Sequence, residues 1–107
     1  MTSHSKSQFL SLTTKGWKTG KNHRIEIWYV DYNDKYYIMS ELQKRAHWIQ
    51  NIIHNPGVLF TVNEKTFEGT ARLVDQEKDA KLASQIANLM SAKYKWDRGL
   101  IVEIIPD

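Results

Sequence analysis

The hydrophobic pattern of this chain changes period four times, and the order of those changes excludes most architectures. Arg24-Ile25-Glu26-Ile27-Trp28-Tyr29-Val30 alternates as a strand does, with Ile25, Ile27 and Tyr29 on one face and Arg24, Glu26, Trp28 and Val30 on the other. Asp31-Tyr32-Asn33-Asp34 reads as a turn and Lys35 to Ser40 as the return strand of a hairpin. Beyond Ser40 the period lengthens to about three and a half, which predicts a helix with Ala46, Ile49 and Ile53 on one stripe and Trp48 and Ile52 beside it. Asn55-Pro56-Gly57 stops that helix. Val58 to Val62 and Thr66 to Val74, joined at Asn63-Glu64-Lys65, form a second hairpin in which Gly69 is the expected bulge. Asp75 is the expected N-cap of a second helix, with Glu77 and Asp79 near its positive end and Leu82, Ala83, Ile86, Leu89 and Met90 buried. Gly99 to Ile105 is a closing apolar strand, and Phe9 to Thr14 an opening one that turns between Gly16 and Gly20.

Three strands, a helix, two strands, a helix and a last strand cannot make the regular alternation of a doubly wound parallel sheet. The expected class is mainly β with α (α+β): a six-stranded antiparallel barrel, closed or partly split, with two outer helices. At 107 residues one core is expected, so residues 9–107 are assigned to a single domain and the polar residues 1–8 to a flexible N-terminal tail. The chain has no cysteine, which removes disulfides, thiolate metal sites and cysteine nucleophiles. No apolar stretch approaches the roughly 18 residues of a membrane span, and residues 1–8 contain no apolar leader core, so a cytoplasmic location is expected. His4, His23, His47 and His54 form no zinc-binding spacing, and no nucleophile-elbow pattern is present.

Charge is unevenly placed. Residues 15–24 hold Lys15, Lys18, Lys21 and Arg24 and no acid; with +3 overall and +4 in this decade, the remainder is −1. Gly16 and Gly20 let backbone N–H groups approach an anion, and Thr13, Thr14 and Thr19 offer hydroxyls, so the segment suits a phosphate. The same residues equally describe a solvated lysine-rich turn. A second basic pair, Lys44-Arg45, opens the first helix, with Trp48 and Asn51 following at three-residue steps. A helix start with two cations, an aromatic plate and a carboxamide suits a flat phosphorylated ring; the competing reading is exposed charges with Trp48 in the core.

These segments together resemble a known family. Leu12-Thr13-Thr14-Lys15-Gly16-Trp17-Lys18-Thr19-Gly20-Lys21 and His23 to Val30 resemble the opening of the deazaflavin (F420)-dependent nitroreductase family, within the flavin-binding split-barrel superfamily. Ser40, Lys44-Arg45, Ala46 to Ile52 and Asn55-Pro56 continue the resemblance, as do Phe67 to Val74, Ala92-Lys93-Tyr94 and Trp96. The chain departs from the family at Trp17, where an arginine is usual, and at Glu41-Leu42-Gln43, where a glycine-rich stretch is usual. The resemblance implies a split barrel, often a homodimer, holding FMN or coenzyme F420 beside the strand from Arg24 to Tyr29. Carried over by position, Lys18, Thr19, Lys21 and Arg24 would lie near the phosphate or tail, and Lys44, Arg45, Trp48 and Asn51 would form the opposing wall. Trp28, Tyr29 and Ser40 would line the ring.

The function implied is hydride transfer from the bound cofactor to a small electrophilic acceptor such as a quinone, nitro or enone compound, with no side-chain nucleophile required. The alternative is a split barrel that carries or senses a flavin or haem without turnover. A nucleic-acid role would need basicity spread over a face, and the acidic balance outside one decade argues against it.

Overall fold

The computed structural model describes residues 9–16, 18, 20–41, 45–96 and 98–107, and the tail expected at 1–8 lies outside them. Three strands come first, β1 (Phe9–Lys15), β2 (Asn22–Tyr32) and β3 (Lys35–Ser40). Helix α1 (His47–His54) follows, then β4 (Gly57–Val62), β5 (Lys65–Leu73), α2 (Ala80–Tyr94) and β6 (Leu100–Pro106). Every paired neighbour is antiparallel, and the order β1-β2-β3-β6-β5-β4 closes with β4 back on β1. The fold is therefore the six-stranded antiparallel barrel with two helices. None of the described helices is long and apolar enough to cross a membrane.

Two tight hairpins set the register. Asn33 and Asp34 have φ of 52° and 63°, and Asn63 and Glu64 have φ of 51° and 69°. Two consecutive left-handed residues make the primed turn whose twist matches that of the flanking strands. Alternation then sorts the side chains. Leu12, Tyr29, Ile38, Phe60, Val102 and Ile104 belong to one buried cluster together with Ala46, Ile49 and Ile52 of the α1 region, so α1 plugs the barrel. Val30, Tyr37, Met39 and Ile101 belong to a second cluster with Ala83, Ile86 and Met90 of α2, which covers the outer face.

Four local expectations are corrected. In α1, Ile53 is exposed and Ile52 is buried, because the buried Asn51 donates its amide to Thr14 Oγ1 of β1 at 3.0 Å and sets the rotation of the helix. Asp75 caps a turn rather than α2: its carboxylate accepts from the Glu77 and Lys78 N–H groups at 2.8 and 3.1 Å, and α2 begins five residues later behind Asp79, while Leu89 is partly exposed. Gly69 is no bulge, since its pairing with Val58 and Pro106 continues an unbroken register. A glycine is needed there for space: a Cβ would sit 2.8 Å from the Ile105 carbonyl oxygen and 2.9 Å from Cε1 of Phe60.

A polar row crosses the outer face. Tyr37, Glu103 and Arg72 are direct cross-strand neighbours on β3, β6 and β5. Glu103 is 2% exposed; its carboxylate accepts from the Tyr37 hydroxyl and from Arg72 Nε, each at 2.7 Å. Burial by itself would raise the Glu103 pKa, but the hydrogen bonds from Arg72 and Tyr37 and the charges of Arg72 and Lys35 outweigh it and hold the carboxyl below its ordinary value.

Candidate functional site

β2 changes partner along its length. Asn22–Trp28 pairs with β1, and Tyr29–Tyr32 pairs with β3. β3 meanwhile continues on β6 as far as Ser40. Where β2 and β3 part, between Trp28 and Met39, the wall of the barrel opens into a cleft of about 610 Å³. That is within the roughly 300–1,000 Å³ typical of small-molecule sites. Ile25 to Trp28 of β2 form one side, and Met39, Ser40, Glu41, Ala46 and Trp48 the other; Phe9, Met90 and Trp96 complete the lining.

An aromatic stack holds one wall. Trp28 lies flat on Tyr94 with ring centroids 4.6 Å apart and planes 2° from parallel, and Trp96 meets Trp28 edge-on at 6.3 Å. Phe9, the cross-strand partner of Trp28, is 6.4 Å from it. Tyr94 is fixed from behind: its hydroxyl donates to the Tyr29 carbonyl at 2.5 Å and accepts from the Tyr29 N–H at 3.1 Å. Lys93 Nζ also donates to that carbonyl at 3.1 Å and lies 4.6 Å above the Tyr29 ring. Burial raises the Tyr94 pKa, against the hydrogen bond to Tyr29, and burial lowers that of Lys93, against the charge of Asp31. The phenol thus stays neutral at physiological pH and serves as a fastener between α2 and β2.

The structure brings only some of the sequence-selected residues together. Trp28, Ser40 and Trp48 line the cleft. Arg24 is exposed on β2 just beyond it, with its guanidinium donating to Ser11 Oγ at 3.1 Å. Lys18 and Lys21 are exposed in the β1–β2 connection, which is closed by hydrogen bonds from Gly16 N–H to the Lys21 carbonyl and from Gly20 N–H to the Gly16 carbonyl. At about 3.3 Å per strand residue this connection is roughly 20 Å along β2 from Trp28. Arg45 is exposed immediately before Ala46, outside the lining. Asn51 is buried against Thr14 and does not reach the cleft. Thr19 and Lys44 lie outside the described residues, as do Trp17, Leu42 and Gln43.

Phe9, Glu26, Met90 and Trp96 are lining residues that the sequence reading does not select. The outward phase of Glu26, shared with Trp28, is the one signal that could have found any of them. Asn51 has a structural consequence instead. Asn51→Ala leaves the buried Thr14 hydroxyl without its donor and is expected to lower stability by about 1–3 kcal/mol, measured by urea denaturation. An unchanged midpoint would show that the bond is not stabilising.

With this geometry in view, comparison with known proteins identifies the family. Residues 2–104 match the family model described as F420H(2)-dependent quinone reductase. The chain belongs to that family. A solved F420-H2-dependent reductase, FDR-A, is 29% identical, with 94% of each chain covered and a TM-score of 0.62. The haem storage protein HutZ of Vibrio cholerae has a TM-score of 0.76 at 17% identity, covering 94% of this chain and 82% of its own. An FAD-binding protein of Mesorhizobium loti has a TM-score of 0.73 at 14% identity, with the same coverages. The last two share the fold. The search of curated proteins gives no match.

The residues present fit the cofactor that membership in the F420H(2)-dependent quinone reductase family implies. A flat ring requires an apolar slot, and the cleft provides Trp28, Trp48, Ile25 and Ile27 beside a length of β2 that has left β3. An extended anionic tail requires cations at a distance, and Arg24, Lys21 and Lys18 follow in that order along β2 and its hairpin.

Proposed function

We propose that the protein is an F420-dependent reductase acting on a small electrophilic acceptor of the quinone, nitro or enone type. The observation that carries this reading is the aromatic cleft at the parting of β2 and β3, in a chain of the F420H(2)-dependent quinone reductase family. When bound, the reduced deazaflavin supplies a hydride. The chain's own residues bind and orient: Trp28, Ser40 and Trp48 bound the ring, Arg24, Lys21 and Lys18 take the anionic tail, and Trp96, Phe9 and Met90 keep water from the reacting face. By sequence position Thr19 is assigned to the tail with Lys18 and Lys21, and Lys44 and Arg45 to the opposing wall. Hydride transfer needs no side-chain nucleophile, in keeping with a lining whose polar members are Glu26, Ser40 and Glu41.

The test is titration of the purified protein with F420 and, separately, with FMN, followed by oxidation of F420H2 on addition of a naphthoquinone. Micromolar binding of F420 is expected, weakened about tenfold in Arg24→Ala through the loss of one exposed charge-assisted contact. Failure of F420 to bind at millimolar concentration sinks the reading. Tight FMN binding alone would move the assignment to a flavoprotein, and cofactor binding without turnover over an acceptor panel would leave a carrier.

A further inference from the structure

The cleft differs in charge from the basic segments around it. Among its described lining residues two are acids, Glu26 and Glu41, and none is a lysine or arginine. Both acids are exposed. The ion pairs among the described residues are Lys35–Glu103, Arg72–Asp79 and Arg72–Glu103, so neither cleft carboxylate is neutralised by a contacting cation there. Arg24 shares the outward face of Glu26, but its guanidinium is held on Ser11 Oγ, and Arg45 is outside the lining. Around the two acids stand Phe9, Trp28, Trp48 and Trp96. Aromatic faces attract cations through the ring quadrupole, and carboxylates add a Coulombic term of the same sign.

We infer that the cleft selects its acceptor by charge, preferring a planar heteroaromatic cation, accepting a neutral quinone and disfavouring an anionic one, with Glu26 and Glu41 as the specificity-determining residues. This rests on the proposed hydride-transfer reading for the use of the site, though not for its charge. The chemistry balances for a phenothiazinium dye. The C–H bond of the reduced deazaflavin breaks, an N–H bond forms on the dye, the cation becomes a neutral leuco product, and the donor's second proton goes to solvent. A quinone taking the same hydride becomes a hydroquinone anion facing two carboxylates until it is protonated. Two carboxylates on the lining of a solvent-open cleft, each contributing on the order of 0.7 kcal/mol in near-water dielectric, change affinity about tenfold per unit of acceptor charge.

The test measures binding by calorimetry at low salt, on the protein saturated with oxidised F420 so that the ring slot is filled, for methylene blue, naphthoquinone and naphthoquinone sulfonate. The expected order of Kd is cation below neutral below anion, in steps of about tenfold. In the double variant Glu26→Gln/Glu41→Gln the cation-to-anion ratio is expected to shrink at least tenfold. In the unmodified protein, molar salt is expected to shrink it likewise, which serves if the variant misfolds. Equal affinities at low salt, or a ratio untouched by both the variant and salt, overturn the inference. Turnover of naphthoquinone with F420H2 alongside charge-blind binding would remove the selection and keep the proposed function; charge-graded binding without turnover would do the reverse.

Discussion

Arg72→Met is expected to lower stability by about 2–3 kcal/mol at neutral pH and to flatten the acid dependence of unfolding. Glu103 is 2% exposed and receives hydrogen bonds from Arg72 and Tyr37, so removing the guanidinium strands a carboxylate in the interface between the barrel and α2. Breaking a fully buried pair costs about 3–5 kcal/mol; the lower figure applies because the Arg72 side chain is itself 45% exposed and partly screened. In the unmodified protein the Glu103 pKa is depressed in the folded state, so its contribution is complete above the unfolded carboxyl value and is lost as pH falls through the folded one. In the variant only the Tyr37 hydrogen bond and the Lys35 charge remain against burial, so the depression shrinks and the rise of stability with pH across the carboxylate range is expected to flatten. Urea midpoints between pH 3 and 8 check both the loss and the flattening. A variant whose stability still climbs with pH across the carboxylate range, in parallel with the parent, would show that Arg72 does not set the state of Glu103.

Gly99→Ala is expected to destabilise the chain by about 2–4 kcal/mol and to disturb the cleft. Gly99 has φ of +155°, outside the range L side chains favour, and a Cβ there would lie 2.7 Å from the Ser40 carbonyl oxygen and 3.2 Å from Cη2 of Trp96. Ser40 is the cross-strand partner of Leu100, the next residue, so backbone on both sides resists the shift. Ser40 and Trp96 both line the cleft, and F420 affinity is therefore expected to fall along with stability. A thermal midpoint lowered by about 10 °C or more is the expected readout, and an unchanged midpoint with unchanged cofactor affinity would refute the close approach.

Which residues reach the cleft follows from contacts that are remote in sequence. Alternation puts Trp28 on the outward face of β2, as observed, yet its stacking partner Tyr94 comes from the end of α2. Lys93 is one residue from Tyr94 and bonds the same carbonyl of Tyr29, so a segment that reads as a helix end supports the Trp28 wall of the cleft from behind. Glu103 stands among isoleucines and valines as an isolated charge, and its partners Tyr37 and Arg72 are 66 and 31 residues away. Asn51 reads as a carboxamide on a helix start, available to a ligand. Docking of α1 on β1 turns it inward to Thr14 instead.

Strands, primed turns and helices are specified by neighbours a few residues apart: alternation in 24–30, Asn33-Asp34 and Asn63-Glu64 at the hairpins, and the three-and-a-half-residue period before Pro56. Those local rules were sufficient for the order of elements, and the resemblance carried by Leu12 to Val30, Ala46 to Ile52 and Phe67 to Val74 was sufficient for the family. The cleft was settled only when β4 closed on β1 and β2 exchanged one partner for another at Trp28, because both halves of β2 alternate alike and pairing partners leave no mark on a strand's own period.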